Sequence, residues 1–436
     1  MRGAVTTRST SSFVIEGGTP LRGDVHVSGA KNAVLPALAA TLLTDEECII
    51  ENVPDIGDVG VMTAIIQSVG AEVDANDPAC LRVVVPRVTQ LGPPSELVVN
   101  IRASFLTMGA LLGRLGEASC CFPGGDVVGQ RPIDTHLAGF QMLGATVGRD
   151  GERFTARTTG LRGARIFMDY PSVLGTENVM LAATLARGHT TIINAAAEPE
   201  VVFLARMLNS MGASIHGAGT HTIDIEGVER LHGCHLSVIP DRIEAGTFLV
   251  AAAATGGDVV VRGAKPRDMD ATLAKLAEAG VTIEELPDGV RARRERELHA
   301  IHLQALPYPG LPTDMQAPMA ALLTQAEGTS QIHERVFDNR LLYVDELRKM
   351  GAEIITSGGT TAIVLQRTPL VGATVRALDV RAGAALVLAG LVAEGSTTIL
   401  DVYHLDRGYA ALDEKLRGLG ARIERREGAV VEPALS

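Results

Sequence analysis

A chain of 436 residues is too long for one small core, which sets an expectation of two or three domains. Its net charge of -12 excludes general nucleic-acid binding, which needs a basic surface, while leaving room for a local Arg/Lys cluster that takes a small anion. With 46% hydrophobic and 21% charged residues it reads as an ordinary globular protein, and with 3% aromatics and no Trp its core must be built from Ala, Val, Leu and Ile.

The start, residues 1–12, is rich in Ser and Thr, carries Arg2 and Arg8, and has no apolar run. It reads as a disordered tail without a signal peptide. The longest uncharged apolar stretches, Phe248–Ala254 and Ala382–Ala393, fall short of the ~20 residues a membrane span needs and read as buried helices. Cys48, Cys80, Cys120, Cys121 and Cys234 are odd in number and irregular in spacing, as in a reduced cytosolic chain.

An internal repeat organises the rest. Gly70-Ala71, Gly144-Ala145, Gly212-Ala213, Gly280-Val281, Gly351-Ala352 and Gly420-Ala421 recur at intervals of 68 to 74 residues. Ahead of each glycine the same elements are expected in order. An Ala/Leu-rich helix comes first (Asn178–Ala186, Ala384–Ala393), then a β-branched strand (Gly188–Asn194, Gly257–Gly263, Gly395–Asp401). A second helix follows (Val201–Met211, Tyr409–Leu419), which the glycine stops before a new strand. Units of this size do not suit a common solenoid, and they lack the strict alternation of a (β/α)8 barrel. Three units in each of two α/β domains fit the length.

Six motifs stand in order along the chain. They are Ser28-Gly29-Ala30-Lys31-Asn32-Ala33, Gly124-Gly125-Asp126 with Arg131-Pro132-Ile133-Asp134, Glu198-Pro199-Glu200, Asp241-Arg242-Ile243-Glu244, Pro312-Thr313-Asp314-Met315-Gln316, and His404-Leu405-Asp406-Arg407-Gly408-Tyr409. In these the chain resembles the enolpyruvyl transferases over about residues 13–427, and among them most closely the branch that acts on a uridine nucleotide sugar. The resemblance implies two inside-out α/β barrels, one of residues 31–238 and one of residues 13–30 with 239–436, and an active site in the cleft between them. It also implies transfer of the enolpyruvyl group of phosphoenolpyruvate (PEP) to the 3-hydroxyl of UDP-N-acetylglucosamine, with release of phosphate.

That reaction needs an acid to protonate C3 of PEP, a base for the attacking hydroxyl, and cations for the phosphate and carboxylate. The resemblance assigns the acid to Asp126, in the glycine-bearing loop Phe122–Asp126, which suits a moving lid. Most family members carry Cys there, so this chain is expected to resist fosfomycin. The base is assigned to Asp314, whose place before an apolar helix also suits an N-terminal cap. Lys31, Asn32, Arg131, Arg381 and Arg407 match the PEP positions, where Arg suits planar anions. Arg102, Arg131, Pro132, Ile133, Asp134, Thr135, Ser172, Val173, Asp314 and Val336 match the uridine-nucleotide positions. Thr135, Tyr170, Leu174 and Phe203 depart from the family pattern, which leaves the acceptor open between UDP-N-acetylglucosamine and another uridine nucleotide such as UMP.

No cofactor is expected. There is no phosphate loop of the G-x-x-x-x-G-K-[ST] type and no dinucleotide fingerprint. His232-Gly233-Cys234-His235 has metal-ligand residue types but no second cluster to complete a site, so no metal is assigned. The expected partners are two small molecules, with no nucleic acid and no membrane.

Overall fold

All six repeat glycines lie in the left-handed region, with φ between 90° and 118°. The residue after each donates its N–H to the carbonyl five positions back, as in Ala71 to Ile66 (3.1 Å), Ala213 to Leu208 (3.0 Å) and Ala421 to Leu416 (3.0 Å). This is the Schellman stop, and it needs a residue that tolerates positive φ at each helix end. The computed structural model describes residues 11–126, 129 and 132–428. They divide into two compact units, one of residues 28–126 and 132–241, the other of residues 11–27 and 242–428, to which residue 129 also belongs.

Each unit holds three long apolar helices. In the unit of residues 28–241 these are α1 (Lys31–Ala40), α2 (Leu106–Leu115) and α3 (Val173–Ala183). In the other they are α4 (Arg242–Thr255), α5 (Thr313–Leu323) and α6 (Val380–Val392). All six are buried over most of their length, α6 from Val380 through Leu391. A helix that is apolar all round must be enclosed, so only its ends can present polar groups. Small residues let these helices approach closely: a Cβ on Gly109 of α2 would lie 2.2 Å from the Asn178 carbonyl of α3.

Among the described residues the strands form six sheets, five of four strands and one of three. The four-stranded sheets share one pattern, a parallel pair followed by two antiparallel ones. In one, Cys234–Ser237 runs parallel to Cys48–Glu51, which pairs antiparallel with Cys80–Val84, and that with Glu72–Asp77. In another, Thr374–Arg376 runs parallel to Ser396–Leu400, which pairs with Ser12–Glu16, and that with Arg422–Arg426. The three-stranded sheet, Glu117–Cys121 with Arg153–Arg157 and Thr146–Asp150, has no parallel member among the described residues.

Two expectations are corrected here. Ser11 and Ser12 are buried, and Ser12 opens a strand in register with Arg426, so the tail does not extend through them; residues 1–10 lie outside the described residues. The helix expected over Tyr409–Leu419 begins only at Leu412 and ends at Gly418, because Ala411 takes φ 49° just ahead of it; the short helix Tyr403–Asp406 lies before the expected span. Among the described residues no helix is long and apolar enough to cross a membrane.

Candidate active site

In the unit of residues 28–241, α1 begins at Lys31 without a side-chain cap. The Lys31 N–H donates instead to Asp241 Oδ2 (3.2 Å), and its Nζ pairs with Asp58 Oδ2 at 2.8 Å, the two side chains being 12% and 4% exposed. A buried pair of this kind fixes the lysine's direction, because either charge alone would be costly there. Asn32 beside it is exposed.

Arg102 stands in the 3-10 turn before α2. Its Nη1 donates to the Pro123 carbonyl (3.3 Å), and its guanidinium lies 5.2 Å from the centre of the Phe122 ring. Gly124 N–H donates to the Val98 carbonyl, and a Cβ on Gly124 would lie 1.7 Å from the Val99 carbonyl oxygen, so only glycine fits. The base of the loop before half-buried Asp126 is therefore anchored on both sides. Arg131 lies outside the described residues. Pro132 and Asp134 are exposed, Ile133 is buried, and Asp134 opens the helix Asp134–Met142.

Ser172 caps α3, its Oγ accepting from Gly175 N–H at 3.1 Å, which puts Val173 and half-buried Leu174 on the first turn. Thr135 packs there too: its Cγ2 lies 3.2 Å from the place a Cβ on Gly175 would take. Three of the four departures from the family pattern are surface or half-buried positions, Thr135, Tyr170 and Leu174. Phe203 is different. It is buried within the helix Pro199–Ser210, where it fills core volume.

Further along α3, Glu177 is fully buried and neither of its carboxylate oxygens has a hydrogen-bond partner among the described residues. Burial, then the charges of Glu200 and Glu198, push its pKa well above the usual carboxylate range, so it stays a neutral acid.

In the unit of residues 242–428, α5 carries Asp314 as its second residue. Pro312 is the N-cap position and there is no side-chain cap, so the expected capping role of Asp314 does not hold. Its carboxylate is bound by arginines instead: Arg340 Nη2 donates to Oδ1 (2.9 Å), and Arg381 Nε donates to Oδ2 at 3.0 Å, with Nη2 2.9 Å from the same oxygen. Asp314 is 22% exposed, Arg340 and Arg381 only 7% and 5%. Arg381 is held in turn. Asp379 caps α6 by accepting from Arg381 and Ala382 N–H (2.7 and 2.9 Å), and the Arg381 guanidinium stacks over the Tyr409 ring at 5.3 Å. Half-buried Arg407 follows the short helix Tyr403–Asp406, two residues before Tyr409.

Val336 N–H donates to Glu334 Oε1 (2.7 Å), and Thr313 Oγ1 donates to Glu334 Oε2 (2.7 Å). Glu334 thus ties the first turn of α5 to the 336–337 turn; burial raises its pKa, against these hydrogen bonds. The sequence reading missed Arg340, Asp58 and Glu334 as site residues. Each is a charged residue at a buried position, but nothing in its local pattern says so. Among the described residues no group of three His, Cys, Asp or Glu is placed to hold a metal ion.

Cations and carboxylates set on the N-termini of enclosed helices suit the handling of a small anion. Residues 15–416 match the family model of EPSP synthase (3-phosphoshikimate 1-carboxyvinyltransferase), and the chain belongs to that family, the enolpyruvyl transferases. It is an enzyme of the carboxyvinyl-transferring class. Within the family it is 51% identical over 416 residues to UDP-N-acetylglucosamine 1-carboxyvinyltransferase 1 of Caldanaerobacter subterraneus, covering 95% of this chain and 100% of the relative. It is 48% identical to the UDP-N-acetylglucosamine 1-carboxyvinyltransferase of Magnetococcus marinus, over 95% and 99%. Its fold is similar to the enolpyruvyl transferase NikO from Streptomyces tendae, with a TM-score of 0.87 at 27% identity, covering 97% of this chain and 100% of that one. An EPSP synthase from Acinetobacter baumannii shares the fold at a TM-score of 0.70 and 19% identity.

Proposed function

We propose that this enzyme transfers the enolpyruvyl group of PEP to the 3-hydroxyl of UDP-N-acetylglucosamine and releases phosphate, and that each unit is an inside-out α/β barrel. The observation that carries the chemistry is Asp314, a carboxylate gripped by two nearly buried arginines yet still open to solvent. As a base it takes the proton of the attacking hydroxyl. Asp126 protonates C3 of PEP, which makes C2 electrophilic; the hydroxyl adds, and loss of phosphate and of a C3 proton gives the enol ether. Lys31, Arg381 and Arg407, with Arg131, neutralise the phosphate and carboxylate of PEP. Ser172 and Val173, at the N-terminus of α3, and Arg102 receive the acceptor's diphosphate.

The near-full-length identity to proteins named for UDP-N-acetylglucosamine supports this acceptor. The test is phosphate release from PEP, without added metal, against UDP-N-acetylglucosamine and UMP. UDP-N-acetylglucosamine should be the better substrate and should raise the melting temperature more. Preference for UMP on both counts overturns the acceptor assignment but leaves the reaction class standing.

A further inference from the structure

All five cysteines carry free thiols, and two of them are direct neighbours across a sheet. Cys48 opens the strand Cys48–Glu51, Cys234 opens Cys234–Ser237, and the two are register partners in the parallel pair. Directly paired residues of parallel strands point to the same face, with the strands about 4.8 Å apart. That lies inside the roughly 4.4–6.8 Å Cα separation a disulfide accepts. Cys48 is buried and Cys234 half-buried, so the pair is reached from the Cys234 side.

The remaining cysteines are not so placed. Cys120 and Cys121 are consecutive on one strand and face opposite ways, and Cys80 is in register with Glu51. Around the pair the backbone is tight. Gly233 N–H donates to Glu46 Oε2 (3.1 Å), and a Cβ on Gly233 would lie 2.1 Å from the Glu47 carbonyl oxygen. The two strand starts are therefore clamped with no room to drift apart.

We infer that Cys48 and Cys234 form a reversible disulfide that staples the first strand of the 28–241 unit to its last. The oxidant is a peroxide. One thiolate of the pair attacks a peroxide oxygen; the O–O bond breaks, and the departing hydroxide takes up the thiol proton as water, leaving a sulfenic acid. The second sulfur attacks that sulfur; the S–S bond forms, the S–O bond breaks, and hydroxide leaves with the second thiol proton as water. Two thiols are oxidised and one peroxide is reduced to two waters.

The bond would lie on the strand that leads to the anchor of Lys31. The strand Cys234–Ser237 leads into Val238–Asp241, where Val238 N–H donates to the Glu51 carbonyl, Ile239 accepts from Ala30 N–H, and Asp241 accepts from Lys31 N–H. Oxidation thus fixes the register of the segment that anchors α1 without altering any group placed on substrate. It also closes a loop holding almost the whole unit, and long loops gain most from closure.

The test treats the full chain with hydrogen peroxide, alkylates the remaining thiols and maps peptides without reduction. The Cys48 peptide should be linked to the Cys234 peptide, with the intact mass lower by two hydrogens. The melting temperature should rise by roughly 5–10 °C, with turnover unchanged. Dithiothreitol should reverse all of this, and Cys234→Ser should show none of it. Oxidation falling on Cys80, Cys120 or Cys121 while Cys48 and Cys234 stay alkylatable would overturn the inference. So would Cys234 passing to sulfinic acid unlinked, or a linked chain that melts no higher than the reduced one.

Discussion

Replacing Asp314 by Asn keeps the shape of the side chain and removes its charge. Three N–H groups are held by this carboxylate, one from Arg340 and two from Arg381, at 2.9 to 3.0 Å. The amide has one acceptor oxygen, so serving Arg381 turns its NH2 towards Arg340, donor against donor. One charge-assisted bond, worth about 1.5–3 kcal/mol, is lost, and the other two weaken to about half as neutral ones. The expected cost is about 3 kcal/mol, at the lower end of the 3–5 kcal/mol for breaking a buried pair, because water reaches Asp314 and relieves part of it. In a unit of this size that lowers the melting temperature by about 6–12 °C. Far-UV circular dichroism reads it, since the chain has no Trp. Phosphate release should fall by roughly 10²–10⁴-fold with loss of the base. Arg340→Met separates the two effects: it should destabilise comparably yet leave the carboxylate able to act. An Asn variant that melts and turns over like the wild type would refute both the clamp and the base.

Three further outcomes are expected. Asp126→Asn should lose roughly 10²–10⁴-fold in turnover as a general acid is removed, whereas Asp126→Cys should keep activity and gain time-dependent inactivation by fosfomycin, which the wild type should resist; inactivation of the wild type would count against the acid assignment. His136 is buried with its Nδ1 2.9 Å from Asn178 Nδ2, and burial first, then Arg102, pushes its pKa down to about 3. The unfolded state binds a proton below about 6.5 that the native state refuses, so stability falls as pH drops from about 6.5 towards about 3, by about 5 kcal/mol at most, and His136→Gln should flatten that acid limb in melting curves. Gly109→Ala gains helix propensity but drives its Cβ to 2.2 Å from the Asn178 carbonyl oxygen, so the urea midpoint should fall by the equivalent of about 1–3 kcal/mol, and a midpoint at or above wild type would show that α2 and α3 can part without cost.

The repeat was legible because its signal is local. A glycine that ends a helix in the left-handed region leaves a fixed mark, and all six marks are met by the same backbone bond. Strand centres came from β-branched runs: Gly188–Asn194 and Gly257–Gly263 each overshoot the observed strand by one residue at either end. Helix starts were less visible. α3 begins at Val173, well before the expected Asn178, because the cap is Ser172 and the intervening Gly175 and Thr176 look like loop residues. Composition could not show that Phe203 faces the core, or that Asp314 is gripped by arginines rather than capping its helix. Nor could it find Arg340, whose partner lies 26 residues away on another element. Long-range pairing of charges is a property of the folded chain, and its sequence trace is no different from that of a solvated surface residue.

The strand Ser12–Glu16 lies between Ser396–Leu400 and Arg422–Arg426, so it leaves the ribosome long before either of its partners is made. At roughly 5–20 residues per second it waits tens of seconds, with Phe13 and Ile15 uncovered, for neighbours that do not yet exist. Every strand of the 28–241 unit, by contrast, has been made by the time Asp241 emerges. Vectorial synthesis therefore imposes an order: the inserted unit closes first, while the flanking one remains a tethered apolar end and a growing tail. A ribosome that stalls after Leu400 but before Arg422 would release a chain with one finished unit and one open sheet edge, the kind of surface a chaperone binds and a protease cuts.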